Sequence, residues 1–291
     1  MILFRKAQAL SEYLDSQRKN GRTVGFVPTM GALHEGHISL LGQASAATDF
    51  TVVSIFVNPT QFNDKSDFTN YPITIDEDIR ILLRAGADAL FLPSTDEIYP
   101  FGTGNLPGYD LGAVETVLEG SFRPGHFQGV AQVMDRLLAI VGACELFMGQ
   151  KDYQQCMVVA RLLSLTGRDG KVKLVVCPTL REPTGLAMSS RNRRLSPTQR
   201  EQATAIYRAL NYIQSHVDDL PASELKQKVF VDLEKLGFRP DYVSIADATT
   251  LRELPDNDTS AAVALVAAFL GEVRLIDNLV LDHSPASAAN I

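Results

Sequence analysis

The chain has 291 residues, 45% of them hydrophobic and 21% charged, which is the composition of an ordinary folded protein and excludes a disordered or fibrous one. Its length exceeds one average domain, so two are expected. With 27 Lys and Arg against 34 Asp and Glu, the net charge of -7 argues against nucleic acid as a partner, because such binding depends on basic side chains displacing counterions from phosphates.

The opening stretch MILFRKAQALSEYLDSQRKNGR carries charge by its fifth residue and apolar positions at helical spacing, so it reads as an amphipathic helix and not as a secretory signal. Short β-rich runs then alternate with helical patterns: TVGFV and residues 38–46, TVVSIFV and 75–85, ALFLP and 130–141, ELFMG and 153–166, then KLVVC. That alternation predicts an α/β fold with a Rossmann-like parallel sheet, whose ligands gather where loops follow the strands' C-terminal ends. After Cys177 the chain changes character, because Pro178, Pro183 and Gly185 punctuate a polar stretch. The expected division is a Rossmann-like domain over 1–183 and a smaller C-terminal α+β lid domain over 184–291. The smaller domain offers helical patterns over 197–216 and 222–236, then strand-like RPDYVSIAD, AAVALVAAFL and EVRLIDN, and a closing HSPASAANI expected to fray.

AAVALVAAFL is the longest apolar run and falls short of the about 20 residues a membrane helix needs, so it reads as a buried strand or core segment. No membrane partner is expected. The three cysteines, Cys144, Cys156 and Cys177, form no CxxC pair and read as small buried thiols in a reducing, cytoplasmic setting.

The strongest chemical signal is PTMGALHEGH, residues 28–37, between a strand and a helix. Gly31 and Gly36 let backbone approach a ligand closely, and the helix that follows turns free N–H groups and a positive dipole end towards phosphate. His34 and His37 share one face if the helix has begun by His34. By spacing alone such a pair is more often a satisfied surface or core pair, and two histidines without a third ligand make a weak zinc site; the flanking glycines and the strand-to-helix position favour nucleotide. GQKDYQQ, residues 149–155, follows ELFMG directly, and Lys151 there can neutralise developing phosphate charge, although a lone lysine is commonly a solvated one. Within AMSSRN, Met188, Ser189, Ser190 and Arg191 bring hydroxyls and a guanidinium onto a segment that could close over a triphosphate; the alternative is a polar helix cap, a part Ser196 and Pro197 would serve equally well. GRDGKV and GTGNLPG lack the spacing of a phosphate loop and read as turns.

HEGH with a later Met-Ser-Ser segment resembles the paired HIGH and KMSKS signatures of the nucleotidyltransferase superfamily. PTMGALHEGH, SIFVNPTQF, RPGHFQGV, GQKDYQQ and GLAMSSRN together resemble the pantothenate synthetase family, over about residues 23–195 with weaker likeness in RLIDN. The resemblance implies a ligase that joins pantoate and β-alanine with ATP and Mg²⁺ through a pantoyl-adenylate, releasing AMP and pyrophosphate, and a homodimer. By motif position ATP contacts Met30, Gly31, Ala32, Leu33, His34, Glu35, Gly36, His37, Gly149, Gln150, Lys151, Asp152, the backbone near Leu180, and Met188, Ser189, Ser190 and Arg191. Gln61 and Gln155 hold pantoate, and His37 and Lys151 are the catalytic pair. Thr184 stands where the family often has an acidic residue, which leaves the charge of the lid open. The metal ligands are open too: Asp76, Glu77 and Asp78 form a plausible cluster that reads equally as a solvated first helical turn. Other nucleotidyltransferases share the HxGH helix but transfer AMP to a phosphate, and a non-catalytic nucleotide binder of the same fold is disfavoured by the joint presence of His37, Lys151 and the Ser-Ser-Arg segment.

Overall fold

The computed structural model describes residues 1–63, 68–69, 71–256, 258 and 260–282, so the closing HSPASAANI lies outside the described residues. The chain separates into two compact units, Met1–Leu180 and Arg181–Ile291.

Six strands build the sheet of the first unit: β1 (Ile2–Phe4), β2 (Val24–Thr29), β3 (Phe50–Ile55), β4 (Ala89–Phe91), β5 (Cys144–Gly149) and β6 (Val172–Cys177). Successive side chains on a strand point to opposite faces, and here both faces are apolar. Phe26, Val52, Phe91 and Leu146 enter one core while Val27, Val53, Leu90 and Phe147 enter the other. Helices must therefore cover both sides. Leu10 and Leu14 of α1 (Ala7–Lys19), Val130 and Leu137 of α4 (His126–Val141), and Val158 and Leu162 of α5 (Tyr153–Leu165) seal the first face. Leu41 of α2 (Glu35–Ala47) and Leu82 of α3 (Ile75–Arg84) seal the second. Each such side chain contributes about 1.5–3 kcal/mol when fully buried.

All strand pairs in this sheet are parallel, in the order β1-β4-β3-β2-β5-β6. The order reverses between β2 and β5, which opens a crevice at their C-terminal ends where ligands of such sheets bind. PTMGALHEGH leaves β2 and GQKDYQQ leaves β5, so the two motifs flank that point. The opening residues differ from expectation: Ile2–Phe4 is a strand on the sheet edge, paired with β4 in the register Ile2↔Ala89 to Phe4↔Phe91, and the helix starts only at Ala7. The backbone groups of a three-residue apolar run are satisfied there by a partner far along the chain.

The second unit holds an antiparallel sheet of β7 (Phe238–Asp247), β8 (Ala262–Leu270) and β9 (Val273–Leu281), in that order. Its helices are α6 (Pro197–Ala203), α7 (Ala205–His216) and α8 (Ala222–Lys235), and Ile206, Leu210, Leu225 and Leu233 pack into one core with Ala264, Val266 and Phe238. AAVALVAAFL is thus a buried strand. The helical pattern over 197–216 divides at Thr204, whose hydroxyl donates back to the Glu201 carbonyl (2.7 Å). Among the described residues no helix is long and apolar enough to cross a membrane. The three cysteines are free and buried, and burial raises the thiols of Cys144 and Cys156 to about 12.

Candidate active site

Beyond β2 the backbone turns through the left-handed region twice, at Gly31 (φ 82°) and at Ala32 (φ 49°). For an alanine that conformation is costly and needs an external hold. Asp78, fully buried at the start of α3, supplies it: its Oδ2 accepts from the Ala32 N–H (3.0 Å), and its Oδ1 accepts from the Leu33 N–H (2.8 Å) and the Thr74 hydroxyl (3.2 Å). The acidic trio of α3 is therefore divided. Asp78 anchors the loop from behind, while Asp76 and Glu77 are exposed in the first helical turn.

The loop delivers His34 to the N-cap of α2, one residue before the helix begins. Its Nδ1 accepts from the Gly36 N–H (3.2 Å), and its own N–H donates to Nδ1 of His37 (3.3 Å), a reciprocal cap. The rings lie 4.1 Å apart between centroids. The shared face expected from the spacing arises from the cap. Its Nδ1 being occupied as an acceptor, the neutral ring of His37 carries its proton on Nε2 beside a helix N-terminus. Burial, then the neighbouring His34 and Lys151, push His37 down to about 3, with Asp152 opposing. His37 is thus a hydrogen-bond donor at neutral pH and not a standing acid.

Where β5 ends at Gly149, residues Gln150–Asp152 make one tight turn into α5. Lys151 is 16% exposed, with its Nζ 3.2 Å from Asp152 Oδ1. Lys151 and Asp152 both act on the charge of His37, so strands β2 and β5 bring these three groups into one electrostatic neighbourhood. Gln155 is half-buried on the first turn of α5, Glu35 is exposed at the start of α2, and Leu180 is exposed at the end of the first unit.

Gln61 is buried on a short turn after β3, and its amide reaches Met30: Nε2 lies 2.9 Å from the sulfur, and Oε1 accepts from Asn58 Nδ2 (3.3 Å). Asn58 itself donates to the Gly129 carbonyl (3.0 Å) and accepts from the Tyr99 hydroxyl (2.8 Å). The RPGHFQGV segment closes against the same turn through His126, whose Nδ1 lies 2.7 Å from the Gln61 carbonyl oxygen. Motif reading singled out SIFVNPTQF and RPGHFQGV but gave no role to Asn58, Arg123, His126 or Gly129. The available signal was Asn58 directly after the apolar run SIFV, and the Arg, His and Gly residues of RPGHFQGV at the start of a helical pattern.

In the second unit, Ser189 caps a short helical turn, Ser190–Arg194, by accepting the Arg191 N–H on its hydroxyl (3.3 Å). The polar-cap reading of this segment is therefore realised, and Ser190 is buried behind it. Asn192 fixes the turn by donating to the Ala187 carbonyl (3.0 Å) and to Glu182 (3.2 Å). Upstream, Arg181 grips Asp277 of the RLIDN segment with both guanidinium nitrogens (2.5 and 3.1 Å) and stacks 3.9 Å above the Tyr207 ring. Met188 is half-buried next to this braced hairpin.

Residues 2–280 match the family model described as pantoate-beta-alanine ligase. A pantothenate synthetase of Phocaeicola vulgatus is 43% identical over 285 residues, covering 96% of this chain and 99% of the relative. One from Aliivibrio fischeri is 40% identical over 289 residues, covering 99% and 98%. The crystal structure of the pantothenate synthetase of Thermus thermophilus superposes with a TM-score of 0.88 at 38% identity, covering 96% of this chain and 99% of that one. The pantoate-beta-alanine ligase of Francisella tularensis, solved with beta-gamma ATP and β-alanine, superposes with a TM-score of 0.81 at 38% identity, covering 98% and 100%. With a family model matched over nearly its whole length and relatives above 40% identity, this chain belongs to the pantoate-beta-alanine ligase family.

Proposed function

We propose that this chain condenses pantoate with β-alanine at the expense of ATP, and that the crevice between β2 and β5 is where it does so. The observation that carries the reading is the capped histidine pair at the N-terminus of α2, with His37 neutral and Lys151 close by, an array of N–H donors and one cation suited to polyphosphate. A carboxylate is a poor acyl donor, so the pantoate carboxylate first attacks the α-phosphorus of ATP and pyrophosphate leaves. The amine of β-alanine then attacks the acyl carbon, the C–O bond to AMP breaks, and a proton is released from the nitrogen.

Catalysis here is positioning and charge stabilisation. His37 donates from Nε2 to the phosphate oxygens as charge builds, Lys151 neutralises it, and Met188, Ser189, Ser190 and Arg191 bind the triphosphate. Gln61 and Gln155 hold pantoate with neutral amides, which bind its carboxylate and hydroxyls without pairing the nucleophile to a fixed cation. Mg²⁺ would enter with ATP and would supply charge neutralisation to the phosphates; of the acidic trio, Asp78 is committed to the loop, and Asp76 and Glu77 are the exposed carboxylates that could hold it. A cytoplasmic homodimer is proposed with the function, supported only by resemblance to the family.

The test is ATP consumption by the purified protein with pantoate and β-alanine each omitted in turn. The reading requires pyrophosphate release that depends on pantoate, and AMP and pantothenate only when both are present. Turnover that ignores pantoate, or AMP left attached to a product, would refute it.

A further inference from the structure

We propose that His126 is a positioning residue for Gln61, held as the neutral tautomer with its proton on Nδ1, and that it sets the pantoate subsite by gripping the Gln61 main chain. The inference rests on the reading of Gln61 as a pantoate-binding amide and goes beyond it by naming what fixes that amide in place.

His126 opens α4 and is 6% exposed, so both ring nitrogens must find partners inside the protein. Nδ1 lies 2.7 Å from the Gln61 carbonyl oxygen and Nε2 lies 3.1 Å from Nη1 of Arg123. A carbonyl only accepts and a guanidinium only donates. Nε2 must then be the bare, accepting nitrogen, and Nδ1 must carry the proton that reaches Gln61. An imidazolium would set an N–H against the guanidinium; the other neutral tautomer would do the same and also leave the carbonyl without its donor. Arg123 therefore chooses the tautomer and His126 delivers the bond.

The Gln61 side chain, by contrast, is lightly held. Its NH₂ group points to the sulfur of Met30, a weak acceptor, and its oxygen accepts from Asn58 at 3.3 Å. A main chain locked by a strong bond together with an amide on weak partners suits a group that must exchange those partners for a substrate. Gly129, one turn along α4, fits the same design: it lets the helix lie directly on the turn that carries Gln61.

The experiment uses the full chain and three variants. Asn places an amide nitrogen where Nδ1 stands and can still donate to Gln61, whereas Gln places its polar atoms at the Nε2 position and cannot. His126→Asn should recover most of the wild-type pantoate KM, and His126→Gln should raise it about tenfold, the factor for one lost hydrogen bond, with the ATP KM within about twofold. A long-range ¹H–¹⁵N spectrum of histidine-labelled wild type, assigned against His126→Asn, should give a protonated Nδ1 and a bare Nε2. A protonated Nε2 would overturn the proposal even if both variants failed to fold. Equal losses in the Asn and Gln variants, or equal rises in the ATP and pantoate KM, would overturn it as well. Gln61→Ala separates the two layers: an unchanged pantoate KM there refutes the role of Gln61, and with it any action of His126 through Gln61, while the tautomer is read independently.

Discussion

Replacing Gly129 by alanine sets two physical rules against each other, and the structure decides between them. Gly129 lies within α4, where alanine is the better helix former by about 1 kcal/mol, so propensity alone predicts stabilisation. A Cβ built at Gly129 falls 2.6 Å from the Cα of Gln61 and nearer still to the carbonyl group of Thr60. Carbon atoms pack at about 3.5–4.0 Å, so α4 and the Gln61 turn must separate by about 1 Å. No rotamer change can relieve the contact, because it is backbone on one side and a Cβ on the other. Overpacking of this kind costs about 1–3 kcal/mol, and the upper end applies because Asn58 and His126 tie the two elements together. The net loss is then about 2 kcal/mol, or roughly 4–8 °C in Tm if the about 2–4 °C per kcal/mol of chains of comparable size applies. A displacement of about 1 Å at Gln61 should also lower kcat/KM for pantoate about 10²-fold. The comparison is Gly42→Ala in α2, where nothing lies within 4 Å of the new Cβ and the helix gain should appear undiminished. Thermal melting by circular dichroism together with pantoate kinetics reads both. If Gly129→Ala matches Gly42→Ala in Tm and activity, the packing argument is wrong.

The depressed His37 has a pH signature. The unfolded chain takes up its proton near 6.5 and the native protein only near 3, so the unfolded state binds more protons between those values and stability falls as pH drops through that window. His37→Gln keeps a donor near Nε2 without that titration, so its stability relative to wild type should rise by about 1 kcal/mol per pH unit from 6 to 4; a constant difference across that range would show that His37 titrates normally. In the second unit, Asp277→Ala strips the partner from the largely buried Arg181 guanidinium and should cost about 3–5 kcal/mol, lowering the urea midpoint by far-UV circular dichroism. A midpoint within error of wild type would mean that the pair does not brace the hairpin before Ser189.

Local pattern was enough for the α/β architecture, because alternation of apolar residues with period two and near 3.6 is a property of neighbours in sequence. The two loops flanking the β2–β5 crevice were legible for the same reason: TMGALHEGH and GQKDYQQ follow directly on strands. β1 was missed because three residues carry no period and its hydrogen bonds go to β4, far along the chain. The histidine pair is legible in HEGH, but the protonation of His37 depends on burial, on His34, and on Asp152 and Lys151 arriving from another strand. Asp78 reaches Ala32 across 46 residues, His126 reaches Gln61 across 65, and Arg181 reaches Asp277 across 96. What this chain's sequence determined by itself is which segments fold and which carry reactive groups. Tertiary structure alone decided what holds those groups in place, since a buried carboxylate or imidazole takes its partners from whatever backbone the fold sets against it, and no spacing along the chain encodes that choice.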